Sequence, residues 1–419
     1  MASDTARSAR SQAAALAALD PSALVRDAAA ALRIPSVTGD ERAVLEHLAA
    51  LAERAGLRAD LHAHDLEALR AQPDHPGEEA ARDELLGLTV TLPGSHRGRI
   101  CLNGHVDVVG TGAQPWRHGP WSGAIEDGRL HGRGAVDMKA AVVAMLHALG
   151  AVAAAGAPAP EVVAQCVASE EDGGLGTFAA LERDDAFDAA LIPEPTGWDV
   201  VCAQAGALTF SGVVTGRAAH AAERLSGRSA LDRYVEVHLA LREHEARVNA
   251  GVEHPLMRAL ELPYPLLVGR LSAGEWSSSV PDRAAFEGRL GVRIGEEPAA
   301  ARAALEAAVT AALARDGEPP PRIAWTGGAF HPAETPADHP WVQLVRTAAE
   351  AESGREVRPA GVPWGSDMRL FGARGIPVTM IGTTGIERAH AVDEWVSLDE
   401  LEALARTLIR VVTGAGVRP

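Results

Sequence analysis

Apolar residues recur at helical spacing in some stretches of the chain and run almost unbroken through short ones in others. Such a pattern predicts helices alternating with buried strands. Thr38-Gly39-Asp40-Glu41 has the spacing of a capping box. Behind it, Val44, Leu45, Leu48, Leu51 and Ala52 fall on one face of a helix that ends at Gly56. Residues 62–84 are polar and hold two prolines, which predicts a surface insertion with one short helix. Arg99–Asn103 reads as a buried strand running into Gly104-His105-Val106-Asp107. Asp127-Gly128 between apolar flanks predicts a hairpin. Met138, Val142, Met145, Leu149 and Val152 predict a helix after Asp137, stopped by Gly156 and Pro158. Glu161–Ala168 and Ala189–Ile192 read as strands. This alternation implies βαβ units and a largely parallel sheet.

Beyond residue 206 the pattern changes. Leu208–Thr215 alternates in part, and Ser229–Val248 is amphipathic over its length. Leu266–Leu271 and Ala284–Ile294 read as strands, and Ala299–Ala314 as an Ala-rich helix. These elements predict a small α+β domain. Gly327–Pro340 reads as the return crossing, and the first pattern resumes at Trp341, with a strand at Val378–Ile381. The expected fold is α/β, with a mixed, largely parallel sheet in a domain made of residues 1–206 and 326–419. A smaller α+β domain, residues 207–325, is inserted into it.

Charge narrows the function. Lys and Arg number 39 against 56 Asp and Glu, for a net charge of −17. Non-specific nucleic-acid binding and attachment to anionic membranes both need clustered basic residues, so neither is expected. No apolar stretch approaches the ~18 residues of a membrane span. The first residues lack a basic region followed by an apolar core. The expectation is a soluble, cytoplasmic protein. Cys101, Cys166 and Cys202 form no CxxC pair and lie in apolar runs, which predicts small buried side chains rather than a disulfide framework or a thiolate metal site.

Candidate chemistry stands at the ends of predicted strands, where open α/β sheets place their sites. His105, Asp107, Asp137, Glu170, Glu171, Glu194 and His390 supply two imidazoles and five carboxylates. Such nitrogen and oxygen donors suit Zn²⁺, with Co²⁺ or Mn²⁺ as alternatives. Their number exceeds what one ion needs, which suggests two ions sharing a bridging carboxylate. Singly, each has an ordinary reading. Asp137 could cap a helix, Glu170-Glu171 could be a solvated pair, Glu194 could mark a rigid turn between prolines, and either histidine could be a loop residue. The combination carries the signal, because each group follows an apolar strand.

The segments Asn103–Val109, Gly132–Lys139, Ser169–Gly174, Glu194–Thr196, Gly206–His220 and Ala389–Glu394 resemble, in order, the motifs of a di-zinc superfamily. It comprises acetylornithine deacetylase, succinyl-diaminopimelate desuccinylase and carboxypeptidase G. The insertion at 62–84 and Glu194-Pro195-Thr196 look more like its deacylase branch. The resemblance implies that His105 and Glu194 bind one metal, Glu171 and His390 the other, and that Asp137 bridges them before a cis peptide to Met138. It implies Glu170 as general base, taking a proton from metal-bound water that attacks an amide carbonyl. It implies that Asp107 orients His105, and that His220 in the inserted domain donates a hydrogen bond to the oxyanion. Asn249 and Arg289 sit where family members bind the polar end of a substrate, and Gly365-Ser366-Asp367 resembles the family loop that approaches the substrate backbone; an ordinary surface or capping role is the alternative for each. The inserted domain would act as a lid and carry a homodimer interface.

The implied activity is removal of an acetyl, formyl or succinyl type acyl group from a small amino-acid-like amine. A metallocarboxypeptidase or dipeptidase with the same metal centre is the alternative. A non-catalytic metal-binding scaffold would be expected to lack Glu170 or a ligand, and all are present. A serine hydrolase finds no Gly-x-Ser-x-Gly elbow to support it.

Overall fold

A computed structural model describes residues 2–314 and 319–415 of the chain. Its contacts divide it into two compact units. One is Met1–Cys202 with Glu334–Ala360 and Leu370–Pro419, and the other is Ala203–Ala333 with Gly361–Arg369. Of these spans, residues 1, 315–318 and 416–419 lie outside the described residues.

The first strands are β1 (Arg58–Ala63), β2 (Leu86–Leu92), β3 (Arg99–His105), β4 (Ala124–Glu126) and β5 (Arg129–His131). They are followed by β6 (Glu161–Val167), β7 (Ala189–Ile192) and β8 (Val200–Gln204). The second unit contributes β9 (Gly206–Thr215), β10 (Leu266–Ala273), β11 (Arg283–Val292) and β12 (Arg322–Phe330). The chain then forms β13 (Ala333–Glu334), β14 (Pro359–Val362), β15 (Val378–Met380) and β16 (Trp395–Ser397).

Among the described residues the main sheet has the order β1-β2-β6-β3-β7-β15-β8-β13, with β14 beside β8. Its centre, β6-β3-β7-β15, is parallel, while β1–β2, β2–β6 and β15–β8 pair antiparallel. The parallel strands are nearly all apolar and buried because both faces are covered. The helix Lys139–Ala155 covers one face, with twelve buried residues, and ends on Gly156 in the left-handed conformation. Parallel strands share one carboxyl end, so His105, Ser169–Glu171 and Glu194 all emerge on the same rim of the sheet. Gly382 passes this rim so closely that a Cβ on it would lie 2.3 Å from the Glu194 carbonyl oxygen. Only glycine lets these two backbone segments meet.

A separate small sheet has the order β16-β5-β4. Its hairpin turns at Asp127 and Gly128, both with positive φ, as the Asp-Gly signal predicts.

The second unit is a four-stranded antiparallel sheet of order β10-β11-β9-β12. The helices Ala230–Asn249 and Pro298–Ala312 share its core with Phe210 and Phe286.

Several expectations need correction. Thr38 does not cap the helix Arg42–Arg54, which has no side-chain cap; its hydroxyl donates to Asp107 Oδ2 instead (3.0 Å). The polar segment 62–84 does hold a short helix, Leu66–Arg70. It is not only surface, because the Arg82 side chain is fully buried. The stretch read as a return crossing overlaps β12, which pairs with β9 through an irregularity between Trp325 and Ala329. The smaller unit therefore extends past residue 325 and takes in Gly361–Arg369, which carries Ser366. The N-terminal helices Ala2–Ala18 and Pro21–Leu32 were not read from the sequence. All three cysteines are buried thiols. Among the described residues, no helix is long and apolar enough to cross a membrane.

Candidate metal centre

The site grows from three strand ends and two loops. His105 ends β3, Glu170 and Glu171 sit in a turn just past β6, and Glu194 follows β7. Asp137 lies between the hairpin and the helix Lys139–Ala155, and its peptide to Met138 is cis. His390 lies in the loop before β16, with a positive φ.

Asp137 sits at the centre. Its Oδ1 is 3.0 Å from His105 Nε2, which is also 3.6 Å from Glu194 Oε1. Its Oδ2 is 3.4 Å from His390 Nε2, which is also 3.1 Å from Glu171 Oε2. The two oxygens of one carboxylate thus face two separate nitrogen-and-carboxylate pairs.

The geometry of His105 shows why this arrangement calls for a cation. Its Nδ1 lies 2.9 Å from the Asp107 backbone carbonyl, which can only accept. Nδ1 therefore carries the proton, and the neutral ring turns a lone pair at Nε2 toward the oxygens of Asp137 and Glu194. Three lone pairs converge, and only a proton or a metal ion relieves them. Ligand atoms about 2.0–2.1 Å from a tetrahedral zinc ion stand about 3.3 Å apart. The four separations, 3.0 to 3.6 Å, bracket that edge. The donor set fits two divalent ions. His105 and Glu194 would hold one, His390 and Glu171 the other, and Asp137 both.

The electrostatics agree. Burial pulls the His105 pKa down, but hydrogen bonds to Asp107 and Asp137 and the charge of Glu194 carry it well above its ordinary value. Asp137 and Glu171 push His390 up to about 10. Burial would raise Asp137, yet the two histidines hold it well below the usual carboxylate range. Burial, followed by the charge of Asp137, raises Glu171. Without ions, the cluster draws protons onto its imidazoles.

Asp107 meets His105 through its main chain. Its backbone carbonyl, not its carboxylate, orients His105; Oδ1 is 3.6 Å from Nδ1. The carboxylate accepts from the backbone N–H of Glu170 (3.1 Å) and Glu171 (3.2 Å) and from the Thr38 hydroxyl. Asp107 thus ties the turn that carries both glutamates to the strand end that carries His105. The two glutamates lie in a turn past β6, whose geometry Asp107 fixes.

Two anchors were missed by sequence reasoning. Glu394 is fully buried and accepts from the backbone N–H of Gly134, Val136 and Asp137, while Arg133 Nη1 lies 2.7 Å from it. It fixes the loop that presents Asp137. It closes the same motif as His390, and its signal was an acid inside an otherwise functional motif. Asp172, in turn, accepts from the backbone N–H of Glu79 and Ala80, from Arg82 and from Ser169. The polar insertion therefore braces the turn that carries Glu170 and Glu171, and its composition alone gave no sign of this.

The remaining candidates lie in the second unit. His220 Nδ1 accepts from the Ala222 N–H (3.2 Å), so the neutral ring carries its proton on Nε2 and can donate from there. Asn249 uses its whole amide locally: its nitrogen donates to the Glu245 and Tyr264 carbonyls, and its oxygen accepts from Tyr264 N–H. That closes the end of its helix and leaves no amide group for substrate in this conformation. Ser366 is buried, and its hydroxyl donates to Gln204 Oε1 (2.5 Å). Arg289 is exposed, with its guanidinium 5.5 Å from the Phe330 ring centre.

Comparison with known proteins adds independent information. Residues 101–414 match the model of Peptidase family M20/M25/M40. Succinyl-diaminopimelate desuccinylase from Methylobacterium sp. (strain 4-46) is 30% identical over 403 residues, covering 91% of this chain and 93% of its own. The enzyme of that name from Maricaulis maris is 31% identical, covering 74% of this chain and 80% of its own. Among solved structures, an M20 family metallo-carboxypeptidase from Sulfolobus solfataricus has a TM-score of 0.73 at 16% identity, covering 93% of this chain and 98% of its own. Human carnosine dipeptidase 1 has a TM-score of 0.70 at 16% identity, covering 96% and 99%. At those identities the structures speak to the fold alone.

Glu394→Gln replaces one accepting oxygen by a donor that faces backbone N–H groups. It should weaken divalent-ion binding about 10- to 100-fold, the usual cost of disturbing a ligand's support. Calorimetric titration of the metal-stripped chain reads this directly; wild-type affinity in the variant would remove Glu394 from the metal centre.

Proposed function

The chain belongs to peptidase family M20/M25/M40 and is a hydrolase of amide bonds, and on that premise we propose that it removes an N-acyl group from a small amino-acid-like amine. The observation that carries this reading is the bridging position of Asp137 between two histidine–carboxylate pairs. Relatives named as desuccinylases, aligned over about nine-tenths of both chains, favour a succinyl type acyl group, with acetyl or formyl next. Zn²⁺ best suits the donor set.

Two divalent ions held by His105, Asp137, Glu171, Glu194 and His390 would supply a Lewis acid that acidifies water and polarises a carbonyl. The rest of the work falls to the chain's own groups. Glu170 is nine-tenths buried, and its backbone is pinned by Asp107, so its position relative to Glu171 is fixed. Its carboxylate takes a proton from the attacking water and returns it to the amine as the C–N bond breaks. His105 is oriented by the Asp107 carbonyl, and Asp137 by the Glu394 cradle, so both face the reaction in one conformation. His220, with its Nε2–H free to donate in the neutral form, stabilises the oxyanion.

Three outcomes test the reading. Glu170→Gln should retain both ions and lose about 10²- to 10⁴-fold in kcat, the share of a positioned general base. Full turnover in that variant would refute the assignment. His220→Ala should lose about 10²- to 10³-fold in kcat with little change in ion content; an unchanged kcat would dispose of the oxyanion role. Across a panel of N-succinyl, N-acetyl and N-formyl amino acids and dipeptides, an N-acyl compound should give the highest kcat/KM. Preference for dipeptides would move the chain to the peptidase alternative.

A further inference from the structure

A second group of ligating side chains stands apart from the five residues above. His118, Glu126 and His131 each bring a ligand atom within 4.8 Å of the others. We propose that these three side chains form a separate divalent-ion site on the β4–β5 hairpin, selective for a borderline ion such as Zn²⁺.

The hairpin sets the geometry. In the antiparallel register Ala124 pairs with His131 and Glu126 with Arg129. Residues two apart share a face, so Glu126 is the diagonal neighbour of His131 on the Ala124 side. His118 enters from the preceding loop, its ring centre 4.6 Å from that of His131. That loop is held at several points. Arg117 N–H donates to Asp393 Oδ1 (2.7 Å), and Arg133 N–H to the Pro120 carbonyl (2.8 Å).

The hydrogen-bond accounting points to a missing partner. His131 is more than nine-tenths buried, and its Nδ1 has no hydrogen-bond partner. His118 Nε2 lies 3.2 Å from Glu126 Oε2 but without hydrogen-bond alignment. Burying an imidazole nitrogen unpaired is costly, and two packed together compound the cost. Burial, with the nearby charge of His118, also lowers the His131 pKa, which favours the neutral, ligating ring. Two imidazoles and one carboxylate are a soft enough set to reject Ca²⁺ and Mg²⁺.

One group competes. Arg117 Nη2 lies 2.8 Å from Glu126 Oε2, but its side chain is 66% exposed and can swing into water. An incoming ion displaces a weak surface pair and no buried one.

The position links the two sites. His131 leads through Gly132 into the loop that carries Asp137, and its β-sheet partner Trp395 follows the loop that carries His390. An ion on the hairpin would stiffen the frame behind both.

The test counts ions bound by the full, metal-stripped chain after titration with Zn²⁺, using mass spectrometry under non-denaturing conditions. His118→Ala and His131→Gln should each bind one ion fewer per chain than wild type. The difference, not the total, reads this site, so it holds whatever becomes of the Asp137 centre. Arg117→Ala should bind the peripheral ion about two- to fivefold more tightly, the worth of an exposed ion pair. His118 is a loop residue with a partly exposed side chain, so its variant should keep the wild-type circular dichroism. Equal ion counts in wild type and the folded His118→Ala chain, or weaker binding in Arg117→Ala, would overturn the proposal.

Discussion

Everything at the carboxyl rim of the main sheet answers to one constraint: acidic side chains crowd a buried pocket where their charges cannot be hydrated. Leaving a carboxylate buried and unpaired costs several kcal/mol, so each must be held by donors or by a cation. The chain divides them accordingly. Asp107, Asp172 and Glu394 spend their oxygens on backbone N–H groups and arginines. Asp137, Glu171 and Glu194 turn oxygens toward imidazole nitrogens instead. The first group is satisfied by protein alone. The second group faces imidazoles across distances that suit a shared cation.

That division also explains which parts were legible in the sequence. The ligands could be named because chemistry demands specific side chains at strand ends, and the parallel strands that carry them are apolar runs that stand out from their surroundings. The supporting acids were harder to see. Asp107 orients His105 through its backbone carbonyl, which leaves its carboxylate to hold the turn of Glu170 and Glu171, a task with no sequence signature. Thr38 has the sequence signature of a helix cap, yet the helix starts at Arg42 without a side-chain cap, and the Thr38 hydroxyl donates to the charged carboxylate of Asp107. Arg82 sits in a polar stretch whose composition resembles any solvated loop, and only tertiary contact reveals that it is buried against Asp172.

The fold itself was readable where periodicity was strong and poorly readable where it was weak. The helix Lys139–Ala155 and strands β3 and β6 declare themselves by unbroken apolar spacing. The strand β12 does not, because two glycines interrupt it at the irregularity opposite β9. The N-terminal helix Pro21–Leu32 carried a signal that was there to use. Asp20 caps it by accepting from Ser22 and Ala23 N–H, and Pro21 occupies its first turn.

The two candidate ion sites differ in the same currency, the preparation of their ligands. At the Asp137 centre the ligating residues are supported in turn. His105 is held by a carbonyl, Asp137 by the Glu394 cradle, and the Glu171 backbone by Asp107. On the hairpin only the backbone is fixed. Glu126 is shared with an arginine, and His131 Nδ1 has no partner to orient it. Supporting hydrogen bonds pre-organise ligands and raise their basicity. The centre built around Asp137 therefore fills first and empties last. The hairpin site, with fewer ligands and one to recover from Arg117, exchanges its ion with the surroundings. Occupancy there would follow free metal concentration in a range where the Asp137 centre would already be filled.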